Sequence, residues 1–471
     1  MGAIRRGEDF LFNQVYDFVV SRIESNEWKE HDKLPSVRQL SVELHVNRLT
    51  VLKAYQLLKK HKKVYVKDKV GYYVQPKDTF MLEYPDHPIV SAYVQKNSLS
   101  EIQQVQVEYN FSQALIDPNL LPNHYLSEYV KKVFDLYPKV LSTYSTVKGD
   151  EELREALADY FIKQYKTVIH ADDLLILSGS QQGIHLVAQT FVKARDTVLI
   201  ERPSYSPAID TFKARGAQIL SVDITPDGYD LNQVEQYMKL YKPRLFYMNP
   251  TFHNPTGYTV PTRQRKQLVQ LAEQYQCLLV EDDSYHDIYF DHKKPPPPVY
   301  TYDFSGTVIY IRSFCKYISP GLRVATIICQ SSSHMKTLLS VRALTDNGSP
   351  LLNQKIFLHY FSSPRLQQHL EKLRIALQVR KEIMEKELSR TNWNWSSPGG
   401  GLNLWVQLPD NLSTDSLLSK AITHSISFVP GQICDPIKKL PSSMRLSYSY
   451  ANEKQLQQGL QKLIQIAQEN D

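Results

Sequence analysis

The chain has 471 residues, 42% of them hydrophobic and 22% charged, with a formal charge of +6. This is the length of two or three domains and the composition of a globular protein. No run of 18 or more apolar residues offers a membrane span, "MGAIRRGEDF" lacks the apolar stretch of a secretory signal, and the four scattered cysteines form neither a CxxC pair nor a disulfide framework, so the expected setting is a reducing cytoplasm, with no metal site.

The charge is concentrated at the start. Residues 1–78 hold 15 Lys/Arg against 10 Asp/Glu, and residues 48–77 hold nine basic side chains against one acid, Asp68. A basic block confined to one small region implies a polyanionic partner for that region. Three helical patterns fill it. The first places Val15, Phe18, Val19 and Ile23 on one face. The second opens at "LPSVRQL", where Ser36 and Gln39 have the spacing of a capping box and Val37, Leu40 and Leu44 form the apolar stripe. The third starts after Asn47, a good N-cap, and buries Val51, Tyr55 and Leu58. "VYVKDKVGYYV" then alternates as strand, tight turn and strand. Three helices and a β-ribbon make a winged helix-turn-helix, expected over 1–76.

"KLPSVRQLSVELHVNRLTVLKAYQLL" and "GYYV" resemble the DNA-binding domain of the GntR regulators and its wing. The resemblance implies double-stranded operator DNA as partner, the third helix in the major groove, and DNA contacts from Arg38, Arg48 and Thr50, with Lys53 and Lys69 on phosphates. His45 stands where the family has glycine in the turn, so a left-handed backbone is expected at His45. "HKK" at 61–63 replaces the family's acidic-glycine pair before the wing.

From 77 to 108 the pattern breaks down into a polar, proline-punctuated linker, partly helical at most. The "PPPP" at 295–298 reads as a stiff surface loop. From 109 to 471, seven apolar runs alternate with helical stretches: "LLILSG", "TVLIER", "QILSVDI", "LFYMNP", "CLLVEDD", "TVIYIRS" and "RVATIICQ". They predict an α/β domain with a mostly parallel sheet, whose ligands sit beyond the carboxyl ends of the strands. The segments there are polar: "SGSQQG", "RPSY", "NPTFHNPTG", "EDDSY" and "SFCK". A lysine in such a crevice can form a Schiff base with an aldehyde when it is neutral enough to attack.

Singly, each of these residues has an ordinary structural reading; the set in this order resembles the fold-type I aminotransferases. The resemblance implies a large domain over about 140–345, a small α+β domain from 109–139 and 346–471, and pyridoxal 5′-phosphate (PLP) as cofactor. Lys316 would carry its aldimine, and Asp282 would pair with the pyridinium nitrogen. Tyr285 and Asn254 would hydrogen-bond the phenolic oxygen, and Tyr205 would stack on the ring. Ser180, Gln181, Ser313 and Arg323 would cup the phosphate at a helix N-terminus. Tyr144 in "TYSTVKGDEELREAL" matches a tyrosine that reaches the partner subunit's cofactor, which implies a homodimer. Arg445 in "SSMRLSYS" matches the arginine that clamps the effector's or substrate's α-carboxylate. Ala114, Ala325 and Cys315 depart from the family pattern and bear on substrate fit.

The whole plan resembles the MocR (GabR-like) regulators. That implies a transcription regulator sensing a small amino compound by aldimine exchange at Lys316, in a head-to-tail dimer. Two other readings fit the same residues: a working aminotransferase with an appended DNA-binding domain, and a repressor whose cofactor site has lost its function. The effector is left open among γ-aminobutyrate, another amino acid and PLP itself.

Overall fold

Asn47 and Ser36 decide where the first unit's helices begin. In the computed structural model, which describes residues 8–25, 27–29, 31–61, 63–67, 71–75, 98–440 and 442–469, the chain falls into two compact units within 1–86 and 87–471. The first contains α1 (Glu8–Glu24), α2 (Val37–Glu43) and α3 (Arg48–Lys60). Ser36 and Gln39 form the reciprocal capping box, and Asn47 accepts the Leu49 N–H at 3.0 Å. His45, between α2 and α3, has φ of 52°, the left-handed conformation its position called for.

Val15, Val19, Leu40, Val51, Tyr55 and Leu58 lie at the centre of this unit's core. The one polar atom that Tyr55 brings inside is satisfied, because its hydroxyl donates to Pro35 O at 2.7 Å. The hairpin pairs β1 (Val64–Lys67) with β2 (Gly71–Val74), antiparallel, Val64 opposite Val74. Lys69, expected at the tip, lies outside the described residues.

Of the segment expected as a linker, residues 98–108 are described. They begin with a short helix, Ser98–Gln104, whose Leu99 is buried against Trp405, Val429 and Cys434. Next, β3 (Tyr109–Asn110) leads to the large sheet: β4 (Leu174–Leu177), β5 (Thr197–Arg202), β6 (Gln218–Thr225), β7 (Gly228–Tyr229), β8 (Leu245–Met248), β9 (Leu278–Asp283), β10 (Val308–Ser313) and β11 (Ala325–Cys329). Its strand order is β4-β11-β10-β9-β8-β5-β6-β7. All seven apolar runs are strands of this sheet. Most are apolar at nearly every position because both faces are covered, whereas β6 leaves Gln218, Asp223 and Thr225 exposed. Leu174 and Ile176 enter one core cluster while Leu175 and Leu177 enter the other, and Tyr310 and Ile311 divide in the same way.

β5, β6, β8, β9 and β10 run parallel, and β4 shares their direction through two antiparallel pairings with β11. The carboxyl ends of these strands therefore share one edge. β11 alone among the long strands is reversed, so its first residue, Ala325, lies opposite both Ser313 and Leu177.

The C-terminal part adds β12 (Asn394–Trp395), β13 (Asn403–Gln407), β14 (Ile426–Ser427), β15 (Val429–Pro430) and β16 (Ser443–Ser447). β12, β13, β16 and β15 form an antiparallel sheet, and β14 pairs with β3. Among the described residues no helix is long and apolar enough to cross a membrane, no cluster of ligating side chains could hold a metal, and the four cysteines are free and buried.

Candidate functional site

The shared strand edge brings the polar segments together. β9 ends at Asp282 and Asp283, β10 ends at Ser313, and the turn after β10 carries Lys316. Lys316 Nζ donates to Tyr285 Oη at 2.7 Å and lies 4.5 Å from the centre of that ring. Burial pulls the Lys316 amine down, but the Tyr285 and Tyr205 phenols and the Asp282 carboxylate outweigh it and hold the amine above the ordinary lysine value. The free amine is therefore cationic at neutral pH. To act as a nucleophile it must first lose a proton.

Asp282 is buried. Its Oδ2 accepts the Tyr247 hydroxyl at 2.8 Å and its Oδ1 the Ser284 hydroxyl at 3.3 Å. Burial pushes this carboxyl up to about 6, while Tyr247 and Lys316 favour its charged form. Tyr205 starts the helix Ser206–Ala214, and burial raises its phenol within the field of Lys316, Asp282, Tyr285 and Arg445. Asn249, just past β8, donates to the Asp282 carbonyl and accepts the Asn254 N–H at 2.7 Å. Asn254 Oδ1 accepts from Arg445 Nη1 at 3.1 Å, and Arg445 Nη2 donates to the Ser112 carbonyl. Arg445 is only 2% exposed, and among the described residues its Nε has no hydrogen-bond partner.

The other end of the site is an anion cradle. The helix Ser180–Phe191 starts after Gly179, whose φ is 112°. A Cβ at Gly179 would fall inside the Arg323 guanidinium, so the glycine is what lets that cation lie against the helix start. Arg323 itself takes a left-handed backbone, φ 53°, immediately before β11. Gln181 commits its side-chain N–H to Thr211 Oγ1 at 3.1 Å, so it meets an anion with its backbone N–H. Ser313 is buried beside Cys315, whose thiol donates to Val324 O at 3.3 Å. Ala114 and Ala325 are both buried.

One expected residue stands apart: Tyr144 is 98% exposed. In the N-terminal unit Arg38, Arg48 and Lys53 are exposed and Thr50 is half-buried. Among the described residues the unit's ion pairs are Arg22 with Glu27 and Glu43, and Lys63 with Glu24, which leaves Arg38, Arg48 and Lys53 without a counter-ion. Sequence reasoning missed Tyr247, Asn249 and Gly179. Tyr247 looked like any core residue of an apolar strand, whereas Gly179, within "SGSQQG", and Asn249, within "NPTFHNPTG", carried a local signal. It also missed Leu49, 65% exposed beside Arg48 at the start of α3.

The donor set fits PLP: an amine for the aldehyde, a buried carboxylate for the ring nitrogen, a hydroxyl in hydrogen-bond contact with the amine, and a glycine-opened helix N-terminus with an arginine for the phosphate. Fold and site together define a PLP-dependent protein of aminotransferase type joined to a winged helix.

Comparison with known proteins agrees. Residues 120–463 match the family "Aminotransferase class I and II", and residues 11–74 match "Bacterial regulatory proteins, gntR family". The uncharacterized HTH-type transcriptional regulator YdfD of Bacillus subtilis is 29% identical over 466 residues, 96% of this chain and 95% of that one. The 2-aminoadipate transaminase of Thermus thermophilus is 30% identical over 359 residues, 75% of this chain and 88% of its own. The crystal structure of LysN, α-aminoadipate aminotransferase from Thermus thermophilus, in complex with N-(5′-phosphopyridoxyl)-L-leucine, superposes with a TM-score of 0.75 at 28% identity, covering 81% of this chain and 96% of that one. The chain belongs to the class I and II aminotransferase family and carries a gntR-type DNA-binding domain at its N-terminus, the plan of the MocR/GabR-like regulators. PLP is the cofactor of this fold.

Proposed function

We propose that the protein is a cytoplasmic transcription regulator that binds operator DNA through α3 and the wing and reads a small amino compound at Lys316. The observation that carries this reading is the 2.7 Å contact between Lys316 Nζ and Tyr285 Oη at the shared edge of the sheet. PLP, when bound, supplies an aldehyde that a lysine amine can hold and an effector amine can take over, and a ring that draws electrons.

The chain's residues supply the rest. Lys316 anchors the cofactor. Tyr285 would hold the Lys316 amine by accepting its N–H at Oη, and Asp282 would pair with the ring nitrogen and keep it protonated. Asn254 donates to the ring's phenolic oxygen, and Tyr205 stacks on the ring face. Ser180, Gln181, Ser313 and Arg323 hold the phosphate. Arg445 meets the effector's carboxylate with its planar fork. An effector amine at the site would leave Lys316 free, and the two occupancies of the site would bias the protein between states of different DNA affinity. Arg38, Arg48, Thr50, Lys53 and Lys69 contact the DNA, and the absence of counter-ions around the first, second and fourth among the described residues supports this.

A head-to-tail homodimer belongs to the proposal. Tyr144 at 98% exposure, with Leu141 at 70% and Leu344 at 87%, leaves large side chains in water that a second copy would cover, and Tyr144 would then reach the partner's phosphate. A transamination half-reaction is the second reading. It is favoured by Asp282, Tyr285 and Lys316 all being in place.

The test is spectroscopic. PLP-loaded protein should show a visible band that Lys316→Ala abolishes, and candidate amines should change both that band and the protein's affinity for its upstream DNA. A band unaltered in Lys316→Ala would sink the anchor. DNA affinity indifferent to every amine that changes the band would sink the sensor.

A further inference from the structure

Behind the cofactor face lies a buried charge cluster with no part in the chemistry above. Side chains alternate along a strand. Asp282 faces the site, so Asp283 faces the opposite side of the sheet, and Arg312 stands in the same relation to Ser313. On that far side Arg312 is wholly buried. It pairs with Asp283 at 3.2 Å and donates to Asp287 Oδ2 at 2.6 Å. The Tyr317 hydroxyl donates to the same Asp287 oxygen at 2.7 Å, and Tyr310 donates to Asp283 at 2.9 Å. His286 Nδ1 lies 2.8 Å from Asp283 Oδ2.

Four site residues have a chain neighbour in this cluster: Asp282 has Asp283, Tyr285 has His286, Ser313 has Arg312, and Lys316 has Tyr317. The cluster therefore ties segment 282–287 to segment 312–317, the two segments that meet at the contact between Tyr285 and Lys316. Burial works against the carboxylates of Asp283 and Asp287, yet Arg312 and His286 hold both below the ordinary aspartate value, so the cluster is kept ionic. A buried ionic cluster adds little net stability over an apolar core of the same shape, but once present it enforces one geometry.

We infer that Arg312, with Asp287 and Tyr317, is a positioning device that fixes the distance between the Tyr285 hydroxyl and the Lys316 amine from the far side of the sheet. Arg312 and Tyr317 touch no reacting atom; they act through the backbone of their neighbours. A sub-ångström slip of one segment past the other would lengthen the contact by which Tyr285 holds the lysine amine, and loosen the grip on PLP.

The inference rests on Lys316 being the cofactor's anchor, so Lys316→Ala is the control. Tyr317→Phe keeps the ring and removes one donor from Asp287. Arg312→Met removes the cation, and Arg312→Lys restores a charge without the fork. Two quantities are read on the full chain: the PLP dissociation constant, from fluorescence quenching, and the pH midpoint of the visible band, set by Lys316 and the groups facing it, Tyr285, Tyr205 and Asp282. In Tyr317→Phe the midpoint should move by about half a unit and PLP should bind about tenfold more weakly. Arg312→Met should exceed both changes, and Arg312→Lys should recover part of them.

If Lys316→Ala loses the band while Tyr317→Phe and Arg312→Met match wild type in both readouts, the inference fails and the anchor stands. If Lys316→Ala keeps the band, the anchor itself is wrong. Should Arg312→Met not fold, Tyr317→Phe decides. Failure of Tyr317→Phe to fold would make the cluster a folding element and overturn the inference.

Discussion

Replacing Asp282 with asparagine removes a charge and nearly preserves the shape, and Tyr247 can still donate to the amide oxygen. In the PLP-free protein burial holds the Asp282 carboxyl at about 6, against an ordinary value of 3.8. A native value above the unfolded one means that the folded state keeps its proton longer as pH rises. Stability is therefore lost between about pH 4 and pH 6 and stays lost above that. At about 1.4 kcal/mol for each pKa unit, the loss is about 3 kcal/mol. Glu281, pushed up to about 7 by burial, adds slope of the same sign, so the informative quantity is the difference between variant and wild type. In urea melts of PLP-free protein, Asp282→Asn should gain on wild type by about 3 kcal/mol from pH 4 to pH 8. With PLP bound the order reverses, because the variant lacks the carboxylate that pairs with the ring nitrogen. A partner removed from a buried ion pair costs ~3 kcal/mol or more, so PLP affinity should drop at least about a hundredfold. A constant difference across that pH range would refute the desolvation argument, and equal PLP affinities would refute the pairing.

Gly179→Ala puts a methyl group into the Arg323 guanidinium at a backbone angle that disfavours side chains, so PLP should bind at least about tenfold more weakly in fluorescence titrations, with the fold retained. His45→Gly relieves a left-handed histidine and should stabilise the N-terminal unit by about 1 kcal/mol; a lower melting temperature would contradict that. Arg48→Ala should weaken binding to the protein's upstream DNA by about 1–3 kcal/mol in gel shifts, and binding should fall steeply with salt for both proteins. An unchanged affinity would remove the start of α3 from the DNA.

What the sequence determined by itself was local. Ser36, Gln39 and Asn47 place two helix starts because a cap needs only its own neighbours. His45 was legible as left-handed through the resemblance, because it stands where the family has glycine in that turn. Most of the seven apolar runs were legible as strands because a strand covered on both faces is apolar along most of its length, the partly exposed β6 being the exception. The candidate residues were legible through the order of their motifs along the chain.

What only the tertiary structure decided was which strand lies beside which, and in which direction. That choice comes from pairing and burial across hundreds of residues, which no local period encodes. It sets the reversed β11 between β4 and β10, and so carries Arg323 to the start of the helix at Ser180. The same packing joins Asn254 to Arg445, lays Tyr247 against Asp282, and turns Asp283 and Arg312 inward on the far face. Burial then sets the chemistry, because a carboxylate removed from water holds its proton more tightly, and Asp282 was removed from water only by strands far from it in the chain.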